Sequence, residues 1–229
     1  MKIITIGDLH GSEAWKQVHP NSWDRIIFAG DYVDSFDYSD EEIQRNFRQV
    51  IQLKKKHSEK VILLLGNHDL QYYFNSISRH GCSGFRRRMM PVLFDIFHTE
   101  KENFQVAFQL GNYLWTHAGV VQRWYDQFIK SQLLASDENL AFSLNRLFLS
   151  YYLPLFHVSG LRGGDEKDGG IFWAHHTETC DDPLRKYHQI VGHTRTGKGI
   201  VSIKSSETDT SITYIDCLES KTEFYKLDI

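Results

Sequence analysis

Three cysteines in 229 residues are too few and too scattered for a disulfide framework. Cys82, Cys180 and Cys217 are odd in number and share no Cys-x-x-Cys spacing, which also argues against a thiolate zinc site and points to a reducing, cytoplasmic setting. Proline is scarce, at four residues, and no Pro-, Gly- or Ser-rich tract or internal repeat marks a linker. The chain therefore reads as a single domain, 1–229, large enough to bury one sizeable core. Long apolar runs are absent too. The strongest, VILLL at 61–65, falls far short of the roughly 20 residues that span a bilayer, and the first residues enter a strand with no leader-like pattern. No membrane association is expected. Nor is there charge of one sign: 26 Lys and Arg against 29 Asp and Glu leave a net charge of −3, which disfavours an extended nucleic-acid surface. Arg86-Arg87-Arg88 is the compact cationic run, and it reads as a solvated helix face.

What the chain does have is a set of short apolar runs, each stopped by a glycine. Lys2 to Ile6, Ile26 to Ala29 and Val61 to Leu65 look like strands buried on both faces. Between the second and third, Ile43, Phe47, Val50, Ile51 and Lys54 share a helical face. Ser39 and Glu42 fit a capping box, and Lys54 to His57 suit the negative end of that helix. A strand–helix–strand pattern predicts a parallel sheet, with functional loops beyond the carboxyl ends of its strands.

Those loops read GDLHG (7–11), GDYVD (30–34) and GNHD (66–69). One sheet edge is thereby expected to collect Asp8, His10, Asp31, Asp34, Asn67, His68 and Asp69. Later, NYLWT runs into His117-Ala118-Gly119 and HQIV into Gly192-His193-Thr194, so two more strand ends each deliver an imidazole. Mixed oxygen and imidazole donors suit divalent manganese, iron or zinc, and a carboxylate can bridge two such ions in a site built for phosphoryl displacement. Asp69 reads as structural. His19, His57, His80, His98, His157 and His188 lie outside the motifs and read as surface or locally satisfied residues.

Taken together, GDLHG, GDYVD, GNHD, THAG and VGHT, in that order, resemble the calcineurin-like metallophosphoesterases, in particular the phosphoprotein phosphatase and symmetrical diadenosine tetraphosphatase branch. The resemblance implies a four-layer α-β-β-α sandwich, two packed mixed sheets flanked by helices. It implies two divalent ions, manganese first, with iron or zinc as alternatives. Asp8, His10 and Asp31 would hold one ion, and Asp31 would bridge to a second held also by Asn67, His117 and His193. His68 would face the leaving group, its ring oriented by Asp34.

The departures from the family pattern matter equally. Where that branch follows GDxVD with an arginine that grips phosphate, this chain has Ser35-Phe36, and a histidine stands in FWAHH where a second arginine is common. Arg162, His175 and Arg195 are the candidate replacements. The stretch 122–154 falls outside the motifs and reads as a helical insertion, either lining the cleft or packing as ordinary core. Tyr72, Tyr73 and Phe74 pose the same alternative of base stacking or core filling. GIVSI, TSITYID and TEFYKL alternate like antiparallel strands closing the second sheet. The leading expectation is a phosphomonoesterase acting through metal-bound hydroxide on a phosphorylated small molecule or phosphoprotein. A diadenosine polyphosphate or nucleotide hydrolase is the first alternative. A phosphodiesterase or nuclease fits less well, since Thr194-Arg195 follows His193, and a non-catalytic binding module would have lost ligands.

Overall fold

A computed structural model describes residues 1–75, 81–205 and 209–229, so His80 lies outside the described residues. The chain divides into two compact units, Met1–Gln105 with Gly197–Gly199 and Cys217–Ile229, and Val106–Thr196 with Ile200–Asp216. Each is built on a five-stranded mixed sheet.

In the first unit, β1 (Lys2–Ile6), β2 (Arg25–Phe28), β3 (Val61–Leu64) and β4 (Phe104–Gln105) run parallel, in that spatial order. Every residue of β3 is buried, as its unbroken apolar run demands. Helix α1 (Asp40–Lys56) crosses from β2 to β3. Its start is fixed by the expected capping box: Ser39 Oγ accepts from the Glu42 N–H and the Glu42 carboxylate from the Ser39 N–H. It buries Ile43, Phe47, Val50 and Ile51. Phe47 meets Tyr32, Phe97 and Phe104 at ring separations of 5.2, 4.7 and 5.9 Å, an aromatic cluster that joins α1 to the sheet. Helices α2 (Asn67–Tyr73) and α3 (Met90–Thr99) pack on each other in the same unit.

The second unit holds β5 (Ala107–Leu110), β6 (Tyr113–Thr116), β7 (His188–Arg195), β8 (Val201–Lys204) and β9 (Ser211–Asp216), ordered β5-β6-β7-β9-β8. Strands β6, β7 and β9 are parallel, while β5 and β8 run antiparallel at the edges. The tail strands differ from expectation. β9 lies between β7 and β8, and β10 (Tyr225–Asp228) joins the first sheet, antiparallel to β1. Alternation identifies a strand but carries no information about its neighbour. The burial of β9 along nearly its whole length suits a central strand, and the half-exposed pattern of β10 suits an edge.

The stretch 122–154 forms α4 (Gln122–Trp124), a wide turn over Tyr125–Ile129, and α5 (Leu140–Leu149). Helix α5 buries Leu140, Ala141, Leu144, Leu147 and Phe148. Its Asn145 side chain accepts from the N–H groups of Val106 and Ala107 and donates to the Ala107 carbonyl, covering the edge of β5. Through these contacts α5 packs against its own unit. The second unit ends its helices with α6 (His176–Asp181).

The arginine run also departs from the reading as a solvated helix face. Arg87 and Arg88 are exposed, but the Arg86 guanidinium is largely buried, donating to Asp40 and to the carbonyls of Ser35 and Tyr38. Asp40, 46 residues away, draws Arg86 inward from a distance that local charge patterning cannot register. Among the described residues, no helix is long and apolar enough to cross a membrane.

Candidate active site

Three turns at the carboxyl ends of β1, β2 and β3 bring their polar residues together in the first unit. The turn after β1 bonds to the turn after β2 through backbone, Leu9 N–H and His10 N–H both reaching the Asp31 carbonyl at 3.0 and 2.9 Å. Asp69, at the third position of α2, ties the second turn to the third. Its carboxylate accepts the N–H groups of Asp31, Tyr32 and Gly66 at 2.8, 3.0 and 2.9 Å, a structural part in keeping with its sequence reading.

On this frame His10 Nδ1 faces the carbonyls of Val33 and Asp34 at 3.0 and 2.8 Å. Two carbonyls can only accept, so Nδ1 carries the proton and Nε2 is the basic nitrogen, 3.8 Å from Asp31 Oδ2. Donor atoms of His10, Asp31 and His68 all lie within 4.8 Å of one another, and the Asp8 carboxylate reaches Asp31 within the same distance. Asp8, Asp31, Asp34 and Asp69 are all buried. So many carboxylates in so dry a place favour a bound cation, and a mixed oxygen–imidazole donor set suits a first-row divalent ion. The Asn67 amide nitrogen donates to Cys82 Sγ at 3.3 Å, which turns Oδ1 to the opposite side of the amide. Burial and then the charge of Asp31 push the Cys82 thiol up to about 12.

His68 is set apart from the other imidazoles by its partner. Nδ1 pairs with Asp34 Oδ2 at 3.0 Å, and its backbone N–H donates to Asp31 Oδ1 at 3.0 Å. Burial acts to lower its pKa, but the charge of Asp31 and then the Asp34 hydrogen bond outweigh it and leave it raised. The other oxygen of Asp34 accepts from Tyr72 Oη.

In the second unit β6 is followed directly by His117, which is wholly buried, and β7 carries His193 where its register on β9 shifts. Their rings stand 5.1 Å apart, edge to face, and Trp173 lies 5.8 Å from His193. Arg162 Nη2 donates to Thr194 Oγ1 at 3.0 Å, which brings the loop 161–165 (LRGGD) to the VGHT segment of β7. Glu178 fixes that loop: its buried carboxylate accepts from Ser159 Oγ and from the N–H groups of Gly169 and His175.

The sequence pattern of the calcineurin-like phosphoesterases matches residues 1–194, which contain all five motifs. The chain belongs to the calcineurin-like phosphoesterases. Among solved structures, this phosphoesterase is similar to a serine/threonine protein phosphatase from Saccharomyces cerevisiae with similarity to human phosphatase PP5, at 16% identity and a TM-score of 0.48, over 93% of this chain and 67% of that one. A search among curated proteins finds no match.

The candidate residues of the phosphoesterase divide unevenly. Asp8, His10, Asp31, Asp34, Asn67 and His68 gather in the first unit, and His117, His193 and Arg162 stand in the second. The His175 ring accepts the Thr177 N–H as the cap of α6, and burial, then His176 and Arg162, lower its pKa, all of which favour a neutral ring. Arg195 is exposed at the end of β7. In the sequence Tyr72 is legible only as an aromatic that could stack or fill core, and Cys82 only as an isolated thiol. Nothing in the spacing of either points to Asp34 or Asn67.

Proposed function

We propose that this phosphoesterase is a metal-dependent phosphomonoesterase of the phosphoprotein phosphatase type, with Asp8, His10 and Asp31 as ligands of one ion and Asp31, Asn67, His117 and His193 as ligands of a second. The observation that carries this reading is the His10–Asp31–His68 cluster: His10 is held in the tautomer that presents Nε2 beside the Asp31 carboxylate, while His68 is bonded through Nδ1 to Asp34. When bound, divalent ions of this kind supply an activated water and positive charge for the phosphoryl oxygens; manganese is the first to test, then iron and zinc.

The chain's own residues supply the rest. Asp34 fixes the His68 ring with its Nδ1 proton bonded, so that Nε2 hands its proton to the leaving oxygen as the bond from that oxygen to phosphorus breaks. Arg162 would supply the phosphate grip that Ser35 cannot, with Arg195 and His175 behind it; its bond to Thr194, next to His193, supports this reading.

The test compares metal-loaded enzyme on a phosphoserine peptide, an alkyl phosphate, p-nitrophenyl phosphate, diadenosine tetraphosphate and bis(p-nitrophenyl) phosphate. The monoesters should rank first. His68→Ala should slow the peptide and the alkyl ester by about 10²-fold or more, and the nitrophenyl ester far less, since nitrophenolate leaves without a proton. Preference for the diadenosine compound or the diester would move the assignment to an anhydride hydrolase or a phosphodiesterase.

A further inference from the structure

Asp34 is held by two donors, only one of which belongs to the histidine it orients. Oδ2 meets His68 Nδ1, and Oδ1 accepts the phenolic proton of Tyr72. Tyr72 is wholly buried, its ring against Phe85 at 5.4 Å, and its oxygen in turn accepts the Arg86 N–H at 3.1 Å. The Arg86 guanidinium donates to the Ser35 and Tyr38 carbonyls and to Asp40, so the loop that follows Asp34 is fastened to the residue that fastens Tyr72.

We propose that Tyr72 is a positioning residue for leaving-group protonation, the anchor of a hydrogen-bonded chain Tyr72–Asp34–His68. The proposal rests on the general-acid reading of His68. A carboxylate held at one oxygen only can swing about its Cβ–Cγ bond; held at both, it fixes the plane of the imidazole. The neutral phenol suits this place better than a cation. It satisfies Oδ1 without neutralising Asp34, whose charge stays available to the imidazole. A ring that merely filled the core would need no hydroxyl, and phenylalanine there would leave both Asp34 Oδ1 and the Arg86 N–H short of a partner.

Tyr72→Phe keeps the ring and its contact with Phe85, and circular dichroism with a thermal melt establishes that the variant folds. On metal-loaded enzyme, kcat for the phosphoserine peptide and alkyl phosphate should fall about tenfold with KM unchanged, and p-nitrophenyl phosphate should lose at most about threefold. The double variant with His68→Ala should be no slower than His68→Ala alone. A second readout is independent of activity. In metal-free protein the downfield proton signal of His68 Nδ1 should shift or broaden in Tyr72→Phe. Equal losses on good and poor leaving groups while His68→Ala discriminates between them, additive losses in the double variant, or an unmoved Nδ1 signal would each overturn the role of Tyr72. If His68→Ala itself fails to discriminate, the general-acid reading falls instead, and the Nδ1 signal still decides whether Tyr72 holds the ring.

Discussion

Strain is concentrated where the chemistry is proposed. Among the described residues, seven that are not glycine have positive φ, and four of them are His10, Asp31, Asp34 and His193, at +43°, +52°, +59° and +62°. Each such conformation costs about 1–3 kcal/mol, so the surrounding turns must over-determine it. Asp69 does so for Asp31, through three backbone N–H groups. Gly30 shows how little slack remains. Its φ is +104°, and a β-carbon added there would stand 2.5 Å from the Gly66 nitrogen, because the turns after β2 and β3 touch backbone to backbone. Gly30→Ala should therefore destabilise the fold by about 2 kcal/mol or more, read as a fall in Tm of roughly 4 °C or more. An unchanged melt would mean that these turns separate easily and that the cluster they hold is not rigid.

At the scale of elements, what the sequence disclosed was whatever is local. The start of α1 was legible because a capping box is a relation between Ser39 and Glu42, three residues apart. The site of β10 was not, since its pairing with β1 spans nearly the whole chain. The lead-in to α5 shows a local device of another kind. Asp137 accepts from the Leu134 N–H, from Ser143 Oγ and from the Arg146 guanidinium, and its carboxyl is held well below the usual aspartate range, first by Arg146 and then by the Leu134 N–H. A carboxylate with a depressed folded pKa contributes stability that is fully present above the unfolded value, about 3.9, and is lost as pH falls toward the folded one. Asp137→Asn should accordingly lower Tm at pH 7, and the gap from wild type should narrow as pH is taken below about 4. A gap that stays constant across that range would show that Asp137 acts through its shape and neutral hydrogen bonds alone.

Over the whole molecule, the motifs were legible because each packs its polar residues into a few positions after a strand, whereas the contacts that orient them were not. Tyr72 meets Asp34 across 38 residues and Arg86 meets Asp40 across 46, distances at which spacing carries no signal. The same limit bears on His68, whose closeness to His10 and Asp31 fits a ligand as well as a proton donor. Its Nδ1 is taken by Asp34, so both roles compete for Nε2. Metal-linked stability separates them without any turnover. An ion that binds the folded chain alone stabilises it by RT ln(1 + [L]/Kd), about 2.7 kcal/mol at a hundredfold excess over Kd. Manganese should thus raise the Tm of wild type. Asp8→Asn and His193→Ala should each lose a measurable share of that rise, because each is assigned as a ligand of one of the two ions. His68→Ala should keep it, because that ring is assigned to the leaving group. The melts are compared with and without metal for each variant, so that any intrinsic loss of stability cancels. Should His68→Ala lose the manganese-induced rise as fully as His193→Ala does, His68 is a metal ligand, and the proton for the leaving oxygen must come from another group.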